Sequence, residues 1–322
     1  MSATHSSRAY RAFSWFTLAF TLAVVLWGAF VRATGSGAGC GDHWPVCNGE
    51  VVPRAPGLQT LIEYTHRLTS GLALVLTVVL CAWGLRAHAK GHPVRRAAVF
   101  SLVFMLTEAA VGAGLVLFKM VAHNESIARA FWMALHLFNT FLLVGALALT
   151  AWFAGGRERL SWRRQGLTGG LLLGSLGGLL VLGVTGAIAA LGDTLYPATS
   201  LAHGLAQDVS PTAHVLLRLR VLHPVLAALV GAGVVFSAAM VARLRPSPAV
   251  RRAALQLGVL YGLQLLAGTL NVVLLAPVWL QLAHLLLADL VWIVLVRLSA
   301  AGLALGAPRA DVKVRSALFP TA

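Results

Sequence analysis

Four histidines at similar positions in four apolar segments are the side chains of this sequence best suited to chemistry. They are His66, His136, His223 and His284. An ionisable or metal-ligating side chain inside lipid is costly, so its presence indicates a functional role. A single intramembrane histidine is more often a hydrogen-bonding residue between helices, but four at corresponding positions favour a cofactor. Two pairs of imidazoles in a helical bundle are typical of axial ligands to haem iron.

The segments that carry these histidines belong to a strongly apolar chain. Its 322 residues are 58% hydrophobic and 11% charged, and the mean hydropathy is +0.82. Apolar runs long enough to cross a bilayer as a helix recur throughout. We predict an all-α integral membrane protein with eight transmembrane helices, near residues 15–33, 61–85, 97–118, 129–153, 166–190, 213–242, 251–275 and 279–302. No small-residue cleavage site follows the first segment, so we expect a retained helix and not a signal peptide.

The placement of the basic residues predicts the topology. A net charge of +15 could indicate nucleic acid, but lysine and arginine concentrate in alternate loops. The basic loops contain Arg86, Lys90, Arg95, Arg96, then Arg157, Arg159, Arg163, Arg164, and then Arg243, Arg245, Arg251 and Arg252. The other loops hold only Arg54, Lys119 and Arg129. We therefore expect a multi-pass protein of the plasma membrane with both termini cytoplasmic and no nucleic-acid partner.

The two halves of the chain resemble each other at an offset of about 150 residues. The matching pairs are Gly41-Asp42 with Gly192-Asp193, Trp44-Pro45 with Tyr196-Pro197, Glu108 to Gly112 with Gln264 to Gly268, and the surroundings of His136 with those of His284. Each half supplies four segments, so the repeats are parallel. We predict two pseudo-symmetric four-helix bundles, residues 1–160 and 161–322.

The four histidines are predicted to lie near one face of the membrane. Their segments, the second, fourth, sixth and eighth, all run from outside to inside. Each histidine follows the outer start of its segment by five to ten residues, or about 8–15 Å at the usual helical rise. Each pair can therefore meet across its bundle at one level and ligate one haem from two sides.

The residue three positions before the first histidine of each half differs in charge. Glu63 precedes His66 on the same helical face, whereas Arg220 precedes His223. A carboxylate beside a reacting haem could move protons, and a guanidinium suits a haem propionate. We expect a catalytic N-terminal half and an electron-relay or structural C-terminal half. The alternative is that Glu63 only forms an ion pair near the interface. Its partner would then be Arg67 or Arg32, and the candidates for contacting or supporting haem propionates are Arg32, Arg67 and Arg220.

Two of the three cysteines lie in the first outer loop. Cys40 and Cys47 bracket a sequence with Gly41 and Pro45, which allow a tight turn. The outer side of the membrane is oxidising, so a disulfide is expected. It could be a structural staple or a redox-active pair, since exposed strained disulfides are the labile ones. Cys81, alone in the second segment, is expected to pack in the interior.

At these residues the chain resembles the haem A synthase family. The shared features are the segment from Gly28 to Gly37, the Cys-Gly-x-x-Trp-Pro-x-Cys loop, the sequence Glu-Tyr-Thr-His-Arg around His66, and the histidines of the fourth, sixth and eighth segments. The resemblance covers nearly all of the chain. It implies an eight-helix oxidoreductase that oxidises the C8 methyl of haem O to a formyl group by successive hydroxylations, giving haem A for terminal oxidases.

The resemblance also implies roles for the candidate residues. His66 and His136 would face the substrate haem, with Glu63 as an essential acid. His223 and His284 would hold a resident haem b, and the two loop cysteines would form the outer pair. Expected partners are haem O, a haem O synthase, terminal oxidase assembly factors, membrane lipid and a second copy of the chain. Many members carry a second cysteine pair between the fifth and sixth segments, and this sequence has none there.

Two other functions use the same residues. A di-haem b-type electron-transfer subunit also needs two bis-histidine pairs, but usually carries haems near both membrane faces. All four histidines here are predicted near one face, which disfavours that function. A transporter built from parallel repeats could use the histidines for proton coupling. It would contain no haem, so an optical spectrum of the purified protein separates it from both haem functions.

Overall fold

The computed structural model describes residues 3–157, 159–161, 163 and 165–304, with side chains from residue 8 onward. The prediction for Arg164 and the cytoplasmic placement of both chain ends concern residues outside these ranges. The described residues form helices α1 (Ala3–Ala33), α2 (Leu58–Ala87), α3 (Pro93–Leu117), α4 (Ile127–Ala154), α5 (Gly166–Leu195), α6 (Leu201–Val209), α7 (Val215–Arg220), α8 (Leu222–Leu244), α9 (Pro248–Val273) and α10 (Val278–Gly302), and a 3-10 turn, Ser36–Ala38.

The prediction of an all-α membrane protein with eight spans is confirmed. Eight helical stretches among the described residues are long and apolar enough to cross a bilayer, and the sixth of them, Val215–Leu244, comprises α7 and α8. Large apolar side chains such as Phe100, Phe236 and Leu255 are more than half exposed, as expected for faces that lie against lipid. The chain is therefore a multi-pass membrane protein. No strand occurs in the described ranges, where only two isolated β-bridges are found.

The sixth span is divided just before a candidate histidine. α7 ends at Arg220 and α8 begins at Leu222. Pro224 has no backbone N–H and its ring crowds the carbonyl four residues earlier, so the helical hydrogen bond to Arg220 cannot form. His223 consequently lies in the first turn of α8, beside the break.

The second long loop is shorter than predicted. The sequence indicated a loop over residues 191–212, but α5 continues to Leu195 and α6 occupies Leu201–Val209. The Ser200 side chain caps α6 by accepting from the His203 amide at 3.1 Å. A nine-residue helix held by one cap and by tertiary contacts gives no long apolar run, so the hydrophobicity pattern missed it.

Neighbouring helices pack mainly within each half of the chain. α1 contacts α2 and α4, α2 contacts α3, and α3 contacts α4. In the same way α5 contacts α7 and α8, α8 contacts α9, and α9 contacts α10. The halves, α1–α4 and α5–α10, join where α4 packs on α5 and α10 and where α1 packs on α10. The parallel pseudo-symmetry and the boundary at residue 160 stay predictions.

A tryptophan fixes the two central helices that carry histidines. The rings of Phe141 on α4 and Trp292 on α10 stack with centroids 5.4 Å apart. Trp292 Nε1 also donates to the Phe141 carbonyl at 2.6 Å. A Cβ added at Gly145 would lie 3.1 Å from the same Nε1, so the absence of a side chain there permits the close approach. These contacts hold α4, which carries His136, against α10, which carries His284.

Candidate functional site

The four candidate histidines lie at corresponding depths in the structure. His66 is eight residues after the start of α2, His136 nine after the start of α4, and His223 eight after the start of α7. His284 is six residues after the start of α10. At the helical rise of about 1.5 Å per residue, all four lie about 9–14 Å from the starts of their spans, the span of His223 beginning with α7. Each imidazole is half-buried.

The starts of these helices lie at one end of the molecule, which we name the disulfide end because Cys40 and Cys47 are there. Arg32 at the end of α1 donates to Gln281 Oε1 in the first turn of α10 at 2.9 Å. In the loop before α4, Glu125 accepts from the Tyr196 hydroxyl, just after α5, at 2.8 Å. The four histidines therefore lie toward the same end.

Every one of the four imidazole rings lies against a glycine of another span. The pairs are Gly28 on α1 with His66, Gly112 on α3 with His136, Gly186 on α5 with His223, and Gly268 on α9 with His284. A Cβ added at the first, third and fourth glycines would lie 2.9, 3.0 and 3.1 Å from the Cε1 atom of the ring, and at the second 3.8 Å. At three of the four positions a side chain larger than that of glycine would therefore make the imidazole ring shift from its observed place.

The imidazoles of His223 on α8 and His284 on α10, the two histidines of the C-terminal half, lie close together. The ring centroids of His223 and His284 are 6.4 Å apart and the planes are nearly perpendicular, at 88°. Thr185 Oγ1 lies 3.2 Å from His223 Nδ1, and Gln264 Nε2 lies 3.2 Å from His284 Nε2. The other nitrogen of His284, Nδ1, is buried without a hydrogen-bond partner in the described structure.

A buried carboxylate accompanies the histidines of the N-terminal half. Glu108 Oε1 on α3 lies 3.4 Å from His136 Nδ1, which has no hydrogen-bond partner within the described ranges. Asn139 Nδ2 donates to Glu108 Oε2 at 2.6 Å, and the Thr140 hydroxyl donates to Oε1. The Nδ1 atom of His66 is likewise buried and unpartnered in this part of the structure.

Glu63 is placed between the disulfide loop and an arginine. It is buried, and its Oε2 accepts from the Cys40 amide at 2.8 Å. Its Oε1 accepts from both Nε and Nη2 of Arg67, one turn further along α2. The ion pair with Arg67 that the sequence left open is thus formed. A proton-transfer role for Glu63 stays a prediction.

The predicted disulfide is confirmed, and Arg67 holds its loop against α2. The sulfurs of Cys40 and Cys47 are 2.02 Å apart, and both residues are fully buried. Arg67 Nη1 donates to the carbonyls of His43 and Val46 at 2.6 and 2.7 Å. One guanidinium therefore binds Glu63 and the backbone of the loop together. Cys81 is free and buried, as expected.

Arg32 and Arg220, the other two candidate arginines, also have protein partners. Arg32 donates to the Ala190 carbonyl at 2.7 Å and to Gln281, so it links α1 to the C-terminal half. Arg220 forms ion pairs with Asp193 at 2.8 Å and Asp208 at 2.6 Å. Binding of propionates by these arginines stays a prediction.

The loops of the disulfide end are tied by a surface ion pair. Lys119 Nζ, which follows α3, lies 3.0 Å from Asp42 Oδ2 in the disulfide loop. The hydrogen bond from Lys119 holds the pKa of Asp42 below its usual range. Both side chains are at least half exposed, so the pair contributes little stability and mainly orients the loops.

Two features of the site were not recognised as functional from the sequence. Glu108 and Gln264 were noted only as matching positions of the repeat, but each touches a histidine of its own half. The glycines beside the four imidazoles were likewise not singled out for packing. A signal was present, because the matched stretch from Glu108 to Gly112 contains both the polar residue and the glycine that contact His136.

The eight membrane spans, with four glycine-backed histidines toward the disulfide end, define a polytopic helical membrane protein. Over residues 11–296 the chain matches the family COX15-CtaA, described as cytochrome oxidase assembly protein, and it belongs to that family.

Three relatives illustrate what the chain is similar to. A Thermus thermophilus protein named "Protoheme IX farnesyltransferase" is 53% identical over 300 residues, which are 93% of this chain and 49% of that protein. A "Heme A synthase" of Exiguobacterium sibiricum is 34% identical over 167 residues, 52% of this chain and 54% of that protein. One of Bacillus mycoides is 44% identical over 95 residues, 30% of each chain. The chain spans about half the length of the Thermus and Exiguobacterium relatives.

Proposed function

We propose that the chain is a haem A synthase, an oxidoreductase that converts the C8 methyl of haem O to a formyl group by successive hydroxylations. The observation that carries the proposal is the set of four half-buried imidazoles, each backed by a glycine, at one depth of a membrane bundle. Family membership and the similarity to proteins named haem A synthase support the same reaction.

The C-terminal half suits a resident haem b. Two imidazoles that ligate one iron from opposite sides have centroids roughly 6 Å apart, since a metal–nitrogen bond is about 2 Å and the ring centre lies about 1 Å further. The 6.4 Å separation of His223 and His284 agrees with this arrangement. Thr185, beside His223 Nδ1, would fix the tautomer that leaves Nε2 for the iron. Gln264 would have to leave His284 Nε2 when that nitrogen ligates.

The N-terminal half suits the substrate haem. His66 and His136 would position it, and Gly28 leaves room for the His66 ring. Each hydroxylation replaces one C–H bond of the methyl by C–OH, a two-electron oxidation for which bound haem would be the redox centre and molecular oxygen the external oxidant. The protein orients the methyl group and handles protons. Glu63, one turn from His66, is the proposed proton-transfer group, with Arg67 and the Cys40 amide holding its carboxylate in place. After the second hydroxylation the geminal diol loses water to give the formyl group.

The placement of charge supports an orientation in the membrane. Basic residues such as Arg95, in the first turn of α3, and Arg245, directly after α8, lie at the end opposite the disulfide end, which would be cytoplasmic in a plasma membrane. The disulfide end would then face the oxidising side. Haem O would arrive from a haem O synthase, and haem A would pass to the assembly of terminal oxidases. Self-association and contact with assembly factors are further proposals for this chain.

A second candidate function is farnesyl transfer to protohaem, because the Thermus relative carries that name. The match covers only 49% of that protein, so the name can refer to its remaining half. The match to the COX15-CtaA family over residues 11–296 and the similarity to two proteins named haem A synthase favour haem A synthesis for this chain.

Haem analysis of cells that produce the chain tests the proposal and separates the candidates. With a haem O synthase co-expressed, the proposed function yields haem A, identified by mass after extraction. His66→Ala and His136→Ala should abolish haem A while haem O accumulates. Without the synthase, conversion of protohaem to haem O by this chain would support the farnesyl transferase. Haem O left unchanged by the wild-type chain would contradict haem A synthesis.

A further inference from the structure

Glu108 is a buried carboxylate that the proposed reaction has not used. Its side chain, on α3, is only 16% exposed, inside a membrane span. Charged groups at such depth are costly and usually functional. Its Oε1 lies 3.4 Å from Nδ1 of His136, whose ring is held against Gly112 of the same helix α3. One helix therefore supplies both the surface behind the imidazole and the carboxylate beside it.

Two donors from α4 hold this carboxylate in place. Asn139 Nδ2 donates to Oε2 and the Thr140 hydroxyl donates to Oε1, so each oxygen has a partner. Asn139 is fixed in turn, because its Oδ1 accepts from Thr107 at 2.7 Å and its Nδ2 also donates to the Phe104 carbonyl at 2.9 Å. Buried polar networks whose members are all satisfied are rigid. The position of Glu108 is therefore set before haem binds.

We propose that Glu108 is a positioning residue that makes His136 a stronger axial donor to the substrate haem. This proposal rests on the proposed function. Nδ1 of His136 makes no hydrogen bond in the described structure, and Glu108 Oε1 lies 3.4 Å away, close enough to accept from it after a small rotation of the ring. A carboxylate that accepts from Nδ1–H fixes the tautomer that presents Nε2 to iron and increases the basicity of that nitrogen. A more basic ligand favours ferric over ferrous haem.

The C-terminal half provides a comparison within the same chain. Gln264 on α9 occupies the matching sequence position, and its Nε2 lies 3.2 Å from His284 Nε2. The neutral amide cannot supply negative charge to the imidazole. If Glu108 served only to hydrogen-bond α3 to α4, a neutral amide such as that of Gln264 would be enough. The carboxylate in the N-terminal half is therefore assigned to tuning the ligand and not to joining the helices.

The test titrates ferric protohaem into the purified full-length protein in detergent and measures the reduction potential of the bound haem. The haem signal that is present in the wild type and absent from His136→Ala identifies the N-terminal haem. Glu108→Gln, which keeps the size of the side chain and copies Gln264, should weaken haem binding there about 10–100-fold, as for other changes behind metal-ligating histidines. The preference for the ferric form should fall about tenfold, which raises the potential by about 59 mV.

Two controls keep the outcomes separate. The C-terminal haem spectrum should persist in Glu108→Gln, which shows that the variant is folded. Ser101→Ala, which removes a different hydrogen bond between α3 and α4, the 3.2 Å contact with Thr150, and touches neither Glu108 nor its donors, should leave the potential of the N-terminal haem unchanged. An unchanged potential and affinity in Glu108→Gln would overturn the role of Glu108 and leave the proposed function standing. Haem binding that is the same in His136→Ala as in the wild type would overturn both the role of Glu108 and the proposed function.

Discussion

The main-chain amide of Cys40 donates to Oε2 of Glu63 at 2.8 Å, so the disulfide loop and the helix of His66 share one buried carboxylate. The second oxygen of Glu63 is bound by Arg67, which also holds the loop backbone. Two roles of Glu63 follow from this geometry. It fixes the loop over the N-terminal histidines, and it is positioned for the proton transfer that we propose.

Glutamine and alanine at position 63 should separate these two roles. Glu63→Gln keeps an oxygen for the Cys40 amide, whereas Glu63→Ala leaves both that amide and Arg67 unpaired. We expect haem A formation to fall by about 10²–10⁴-fold in both variants because neither can transfer a proton. Thermal stability should fall in both variants, because both remove the charge that pairs with Arg67, and it should fall further in Glu63→Ala, on the order of 3 kcal/mol, because no oxygen is left for the Cys40 amide. Extracted-haem analysis and thermal unfolding measure the two effects, and near wild-type haem A from Glu63→Gln would leave only the structural role.

Alanine at the glycine beside His284 should impair haem b binding. The added Cβ in Gly268→Ala would lie 3.1 Å from the imidazole Cε1 and would move the ring. Gly262→Ala, on the same helix α9, is the matched control because no atom lies within 4 Å of its Cβ. We expect Gly268→Ala to lose several-fold more haem than Gly262→Ala, at similar protein yield, through displacement of the axial ligand. Haem-to-protein ratios from absorbance check this, and equal ratios would contradict the ligand role of His284.

Thiol labelling should find one reactive cysteine in the unfolded protein. Of the three cysteines, Cys40 and Cys47 are joined and Cys81 is free but buried. A maleimide added without reductant should therefore modify one site after denaturation and none before it. After reduction and denaturation, all three sites should be labelled. Peptide mass analysis gives the sites, and labelling of Cys40 without reductant would argue against the disulfide in the isolated protein.

Replacing Arg32 should lower the stability of the protein, because we expect its contacts to be the same in the haem-loaded protein. It links α1 to Thr194 and Ala190 on α5 and to Gln281 on α10. Arg32→Met keeps the apolar stem but removes these hydrogen bonds and leaves Gln281 Oε1 without its donor, with an expected loss of about 1–3 kcal/mol. Thermal unfolding measures this loss, with the spectrum of haem b recorded in parallel. A changed haem spectrum without loss of stability would support the propionate role instead.

Much of the architecture follows from the sequence because it depends on local composition. A run of about 20 apolar residues must form a helix in lipid, since each backbone polar group needs a partner within the segment. The eight spans and the positions of His66, His136, His223 and His284 within them follow from that requirement. The disulfide between Cys40 and Cys47 was also predictable, because the two cysteines are only seven positions apart in the sequence.

The partners of the charged side chains were decided by the tertiary structure alone. The sequence proposed propionates for Arg220, but the fold brings Asp193 and Asp208 to it from α5 and α6. Arg32 meets Gln281 across 249 residues, a contact that no local pattern encodes. The rotation of α3 about its axis places Glu108 against His136, whereas spacing along the chain fixes only which residues share a helix face. Such contacts arise from the packing of helices against each other, and packing is a property of the whole folded chain.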